Sequence, residues 1–112
     1  MQSLELSFQG AVCVIKAPSR VDVSNASILL ETIKAQVEAG SRQVVIDLAE
    51  TEALDSTALG ALVQLYKWLR LADGSLSLAG VSDAVNRVLI LTRLDEIFPL
   101  YPDVKSALKA QP

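Results

Sequence analysis

A carboxylate and two hydroxyls stand in succession at Asp55-Ser56-Thr57, just before a run of good helix formers that continues to about Ala72. Side chains of this kind at a helix start accept hydrogen bonds from N–H groups that have no partner inside the helix. One acceptor is enough for a cap, so the triplet leaves a hydroxyl to spare at the positive end of the helix dipole. A phosphate there would meet N–H donors and a favourable dipole. Two readings stand side by side: a plain N-cap, and an exposed hydroxyl that can accept a phosphate without disturbing the fold.

What the chain lacks narrows the other options. It has 112 residues and no histidine, which removes Ser-His-Asp and Cys-His catalysis and any imidazole metal site. Asp55 or Ser56 could serve as a nucleophile only with a base, and Lys67 lies about three turns along the helix, roughly 15 Å from Ser56 by helical rise. The five glycines are scattered, so no glycine-rich phosphate loop exists. The single cysteine, Cys13, sits in the apolar run Ala11 to Ile15 and reads as a buried strand thiol. Ten basic against 13 acidic residues give a net charge of -3 and a pI near 4.8, the opposite of a nucleic-acid binder's footprint. Catalytic residues, cofactor and metal are all expected to be none.

These residues must be held by a folded frame, and the composition supplies one. Hydrophobic residues make up 51% of the chain and aromatics only 4%, so the core is expected to consist of Leu, Val, Ile and Ala. No apolar stretch approaches the ~20 residues of a membrane helix, and Met1-Gln2-Ser3-Leu4-Glu5 lacks the basic start of a signal peptide. The expectation is one cytoplasmic domain over 1–112, with a monomer favoured.

Leu4 to Phe8 alternates apolar and polar residues as a half-buried strand does, Gln9-Gly10 signals a turn, and Ala11 to Ile15 completes a hairpin. Asp22, Ser24 and Asn25 are suited to cap a helix whose stripe is Ala26, Leu29, Leu30, Ile33 and Val37, and Gly40 ends it. Val44 to Leu48 reads as a strand covered on both faces. The Thr57 helix follows and stops at Asp73-Gly74. Leu76 to Ala79 is a further strand, Ser82-Asp83 opens a helix, Ile97-Phe98 is a stub of strand, and Pro102-Asp103 opens a last helix with proline in its first turn. The order β-β-α-β-α-β-α-(β)-α defines an α/β fold: a small mixed sheet, hairpin first and parallel strands after, packed by about four helices.

At 100° per residue, Ala58, Leu62, Leu65, Leu69 and Ala72 face the sheet, and Thr57, Ala61, Gln64 and Trp68 form an adjoining flank. Ser56, Gly60 and Lys67 point away from the core. Trp68 reads as half-packed against a neighbouring element, with a rim contact to a partner as the sharper alternative. Tyr66 reads as packing on the next helix, and Lys67 and Arg70 as a solvated face.

Val44 to Arg70, VVIDLAETEALDSTALGALVQLYKWLR, resembles the signature of the STAS domain, specifically the stand-alone anti-sigma-factor antagonists of bacteria. Those proteins carry a strand of the type VVLDL, a linker of about six residues, and Asp-Ser-Ser-Gly-Leu-Gly opening a helix. Arg20 to Ala26 is similar to the family's G-x-Leu-Asp-x-x-Asn-Ala turn, and Leu91 to Phe98 to its Leu-Thr-Gly-Leu-Asp-x-x-Phe element. The resemblance runs from about residue 4 to residue 108. It implies the STAS fold and a partner switch in transcription regulation. An anti-sigma factor that is also a serine/threonine kinase phosphorylates the second hydroxyl residue after the aspartate; the unphosphorylated protein binds that factor and frees the sigma factor; a phosphatase resets the cycle. The phosphoacceptor is then Thr57, with Ser56 second. Partner contacts are expected at Arg20, Asp22, Ser24, Asn25, Asp55, Ser56, Thr57, Gly60, Ala61 and Gln64, with the 20–25 loop beside the start of the Thr57 helix. The sequence departs from the family at Thr57, at Ala58 and Arg93, which each replace a glycine or serine, and near Pro18-Ser19, where a glycine is usual. A methyl at Ala58 is expected to hinder the close approach of a kinase loop. The other reading is a non-phosphorylated STAS scaffold or regulatory subunit of a membrane-associated or lipid-trafficking system.

Overall fold

The structure, a computed structural model, describes residues 4–111. Its strands are β1 (Glu5–Gln9), β2 (Val12–Lys16), β3 (Arg20–Val21), β4 (Gln43–Asp47), β5 (Ala53–Leu54), β6 (Ser75–Ala79) and β7 (Leu100–Tyr101). Its helices are α1 (Ala26–Glu38), α2 (Ser56–Leu71), α3 (Asp83–Leu91) and α4 (Val104–Lys109), with a 3-10 turn at Leu94–Glu96. Five strands form one sheet in the order β1-β2-β4-β6-β7, antiparallel at β1–β2 and parallel elsewhere. β3 and β5 make a separate parallel pair, Arg20 opposite Ala53 and Val21 opposite Leu54.

β4 is central because both its faces are apolar. Val44 and Ile46 enter the main core with Ile33, Leu62, Leu65, Leu69 and Leu89, while Val45 enters a smaller core with Val12, Val14, Ala79 and Ala107 beneath α4. Cys13 is fully buried, and burial pushes its thiol pKa up. In α2, Ala58, Leu62, Leu65 and Leu69 lie on the sheet as the 100° spacing requires. Fully burying each such leucine stabilises the fold by about 1.5–3 kcal/mol. Gly74, just past the end of α2, is obligatory: a Cβ there would collide with the Arg42 carbonyl oxygen.

Four expectations need correction. β1 is not half-buried. All five residues are exposed, because Leu6 and Phe8 share a sheet face with Ile15 and Cys13 but lie at the outer edge, beyond helical cover. The stub expected at Ile97-Phe98 lies three residues later. Arg93 takes a left-handed φ of 62° after α3, the 3-10 turn follows, and Phe98 turns into the core; pairing begins when the Pro99 carbonyl accepts from the Leu78 N–H at 3.0 Å. Proline sits outside the first turn of α4, which Asp103 caps through the Ser106 N–H. The 20–25 polar residues do not cap α1 through a side chain.

Candidate functional site

The 20–25 loop follows β2 and the Asp55 segment follows β4, and these strands are neighbours running in parallel, so both segments emerge at the same end of the sheet. β3 and β5 then join them. The ladder extends on both sides, with Glu52 N–H donating to the Ser19 carbonyl at 2.7 Å and Asp55 N–H to the Val21 carbonyl at 3.2 Å. Buried Thr51 adds a third tie through its hydroxyl, which donates to the Pro18 carbonyl at 2.8 Å.

Asp55 completes the junction with both carboxylate oxygens. Oδ1 accepts from the Ala58 N–H at 2.9 Å, which is the α2 N-cap, and Oδ2 accepts from the Val23 N–H at 3.0 Å across 32 residues of sequence. Capping needs only this residue, and Ser56 and Thr57 remain exposed in the first turn. The loop is equally fixed. Asp22 Oδ1 accepts from both the Ser24 hydroxyl and the Ser24 N–H, which hold its carboxyl below the usual carboxylate range. Asn25 is buried and braces the loop: its Oδ1 accepts from Asp22 N–H and its Nδ2 donates to the Arg20 carbonyl, each at 2.8 Å.

Beside this junction a groove of about 180 Å³ runs between the first turns of α1 and α2. Ala26, Ser27 and Leu30 line one wall and Thr57, Ala61 and Gln64 the other. Of the predicted residues, Thr57, Ala61 and Gln64 therefore meet in the groove, and Arg20, Asp22, Ser24 and Asp55 surround the junction above it. Ser56 and Gly60 are exposed but outside the groove lining. Asn25 contributes bracing inside the loop. Ala58 is fully buried, so its methyl packs on the core and presents nothing to an approaching protein. Trp68 is half-packed toward α1, with Lys34 Nζ 5.7 Å from its ring centre. Tyr66 meets Phe98 edge-on at 5.4 Å, just past α3 rather than on it.

Sequence reasoning missed Ser27, Leu30 and Val23. Leu30 belongs to the apolar stripe with Ala26, Leu29, Ile33 and Val37 but stands at its margin, where it is half-buried and lines the groove. Val23 is 76% exposed, held outward by the bond from its N–H to Asp55, and a lone valine between Asp22 and Ser24 carried no periodic signal.

The loop, the start of α2 and the groove thus form one continuous surface at the C-terminal end of β2 and β4, with an exposed hydroxyl at its rim, and the class the fold defines is a small α/β module. The family model of the STAS domain matches residues 3–107, and the chain belongs to that family. It is 28% identical over 95 residues to the anti-sigma-B factor antagonist of Staphylococcus aureus, covering 85% of this chain and 88% of that one. Among solved structures, an anti-sigma factor antagonist from Mycobacterium paratuberculosis shares 31% identity at a TM-score of 0.86, covering 96% and 92% of the two chains. The anti-sigma factor antagonist SpoIIAA in its unphosphorylated form shares the fold at a TM-score of 0.84 and 16% identity, covering 96% of this chain and 94% of that one. The phosphorylated form of SpoIIAA, from Bacillus, does so at 0.76 and 15%, covering 96% and 97%.

Proposed function

We propose that this protein is a phosphorylation-controlled partner switch. It binds an anti-sigma factor of the serine/threonine-kinase type through the α1–α2 groove and the 20–25 loop, thereby freeing a sigma factor. Phosphorylation of Thr57 releases it, and a phosphatase restores it. The observation that carries this reading is the position of Thr57, an exposed hydroxyl in the first turn of α2 that also forms a wall of the groove. Ser56 is exposed too but lies outside that lining. The relatives named as anti-sigma factor antagonists support the choice of partner.

The switch follows from charge and shape. A phosphate adds roughly -1.5 to -2 charges at neutral pH, which takes the formal net charge from -3 to about -5. The α2 dipole and first-turn N–H groups favour it by about 0.3–1 kcal/mol per exposed interaction, so the fold has no cause to rearrange. A partner seated on Ala61 and Gln64 would instead have to bury a dianion next to Asp55. Without matching cations that costs several kcal/mol, and every 1.4 kcal/mol is tenfold in affinity. That SpoIIAA keeps one fold in both forms supports a switch that acts locally. The inward Ala58 methyl removes the one steric argument for a non-phosphorylated scaffold.

Incubation with the cognate kinase and ATP, followed by mass spectrometry, should map phosphate to Thr57. Thr57→Glu should lower affinity for that partner by at least an order of magnitude, with backbone amide shifts confined to residues near 20–25 and 55–64. Phosphate found only on Ser56, or undiminished binding by the phosphorylated protein, would overturn the reading.

A further inference from the structure

Among the described residues, β1 is one end of the five-stranded sheet, with no neighbour on its outer side. Exposed strand edges are usually blunted by lysine, proline, a bulge or brevity. The opposite edge is treated in that way, since β7 has two residues set between Pro99 and Pro102. β1 is five residues long with an unbroken register against β2, and it contains neither lysine nor proline. It also shows apolar surface, Leu6 at 38% and Phe8 at 51% exposure, both on the face that carries α1 and α2.

We propose that β1 pairs with β1 of a second copy of this chain, antiparallel about a two-fold axis at Ser7, which departs from the monomer expected on sequence grounds. The strand Glu5-Leu6-Ser7-Phe8-Gln9 is complementary to itself in that register. Leu6 lies across from Phe8 of the second copy, Ser7 from Ser7, and Glu5 from Gln9. A two-fold axis perpendicular to the sheet requires paired residues to point to the same face, so only even shifts of register are allowed. Among those, the Ser7-centred one alone pairs all five residues of β1.

The charges agree. Glu5 is the strand's one charged residue, and Lys16 faces it at 4.0 Å. Four residues of strand separate the two copies of Glu5, roughly 13 Å along the strand, beyond the Debye length of about 8 Å at physiological salt. Pairing adds roughly four to six backbone hydrogen bonds and covers only two apolar side chains per copy, Leu6 and Phe8. The dimer is therefore reversible, micromolar or weaker. It leaves the α1–α2 grooves of both copies open on one face, so it is independent of the switch proposed above.

Sedimentation velocity of the full chain from micromolar to millimolar concentration tests this. The native protein should shift from monomer to dimer. Phe8→Lys and Leu6→Lys, both on exposed positions, should stay monomeric with unchanged circular dichroism and melting temperature. Ser7→Cys should form a disulfide-linked dimer under mild oxidation many times faster than Gln9→Cys. A native chain that stays monomeric throughout, a dimer that survives both lysine variants, or equal cross-linking at the two positions would each overturn the proposal. So would β1 amides that gain protection only when the anti-sigma partner is added, which would assign the edge to a strand of that partner.

Discussion

Gly60 offers the sharpest separation of recognition from folding. It lies in the second turn of α2, exposed and directed away from the sheet, and a Cβ built on it meets nothing within 4 Å. Glycine inside a helix is less favourable than alanine by about 0.8–1.0 kcal/mol, so in the free protein Gly60→Ala should be stabilising. With about 2.1 cal/mol/K of unfolding entropy per residue, a chain of 112 residues gains about 4 °C in melting temperature for each 1 kcal/mol. Gly60→Leu should also melt at or above the native temperature. Binding should move the other way, because Gly60 lies one step around α2 from Thr57 and Gln64 and every atom added there projects toward a docked protein. We expect Gly60→Leu to weaken partner binding at least tenfold, about 1.4 kcal/mol, and Gly60→Ala to weaken it less. Differential scanning calorimetry and titration calorimetry on the same preparations give both values. A fall in melting temperature for Gly60→Ala would refute the claim of open space, and unchanged affinity for Gly60→Leu would remove this face of α2 from the interface.

Three further outcomes are expected. Asp55→Ala removes the α2 cap and the tie to Val23 together and should cost about 1–2 kcal/mol, read by urea denaturation, with the Val23 amide losing hydrogen-exchange protection. Arg93 holds a left-handed φ of 62°, so Arg93→Gly should raise stability by about 1 kcal/mol; a lower denaturation midpoint would show that the Arg93 side chain outweighs the strain. The Ser24 hydroxyl, then its N–H, lower the pKa of Asp22, so the loop's order is complete above the ordinary Asp pKa and is lost as pH falls through the lowered folded value. The Ser24 amide shift, followed by NMR, should titrate with a midpoint below the ordinary 3.8; a midpoint at or above it would contradict the hydrogen bonds assigned to Asp22.

Much of the frame could be read from residue order because its signals are periodic. The run Val44 to Ile46, apolar without alternation, indicated a strand buried on both faces, and the α2 stripe indicated which side of that helix meets the sheet. The same angular reading set Thr57, Ala61 and Gln64 together on one flank, where the groove runs. Features without a period could not be read so. The two-residue strands β3 and β5 exist only as a pair across 33 positions, and neither Arg20–Val21 nor Ala53–Leu54 forms a pattern alone. Asn25 and Asp55 both look like helix caps locally, yet Asn25 braces its own loop while Asp55 caps α2 and reaches Val23. Leu6 and Phe8 have the alternation of a half-buried strand, but burial depends on cover from α1, which position at the sheet edge denies them.

The double use of the Asp55 carboxylate also bears on when the molecule becomes recognisable. Its two amide partners, Val23 and Ala58, belong to successive β–α units, and the contact between them closes a long stretch of chain. Contacts of this kind form late, since the entropy of loop closure must be met before they contribute. A nascent or partly opened chain can expose Ser56 and Thr57 as a flexible hydroxyl-bearing segment, but it cannot display the loop and the helix start in register. A partner that reads the composite surface is therefore reading the completion of the fold as well, so unfinished chains do not compete for it.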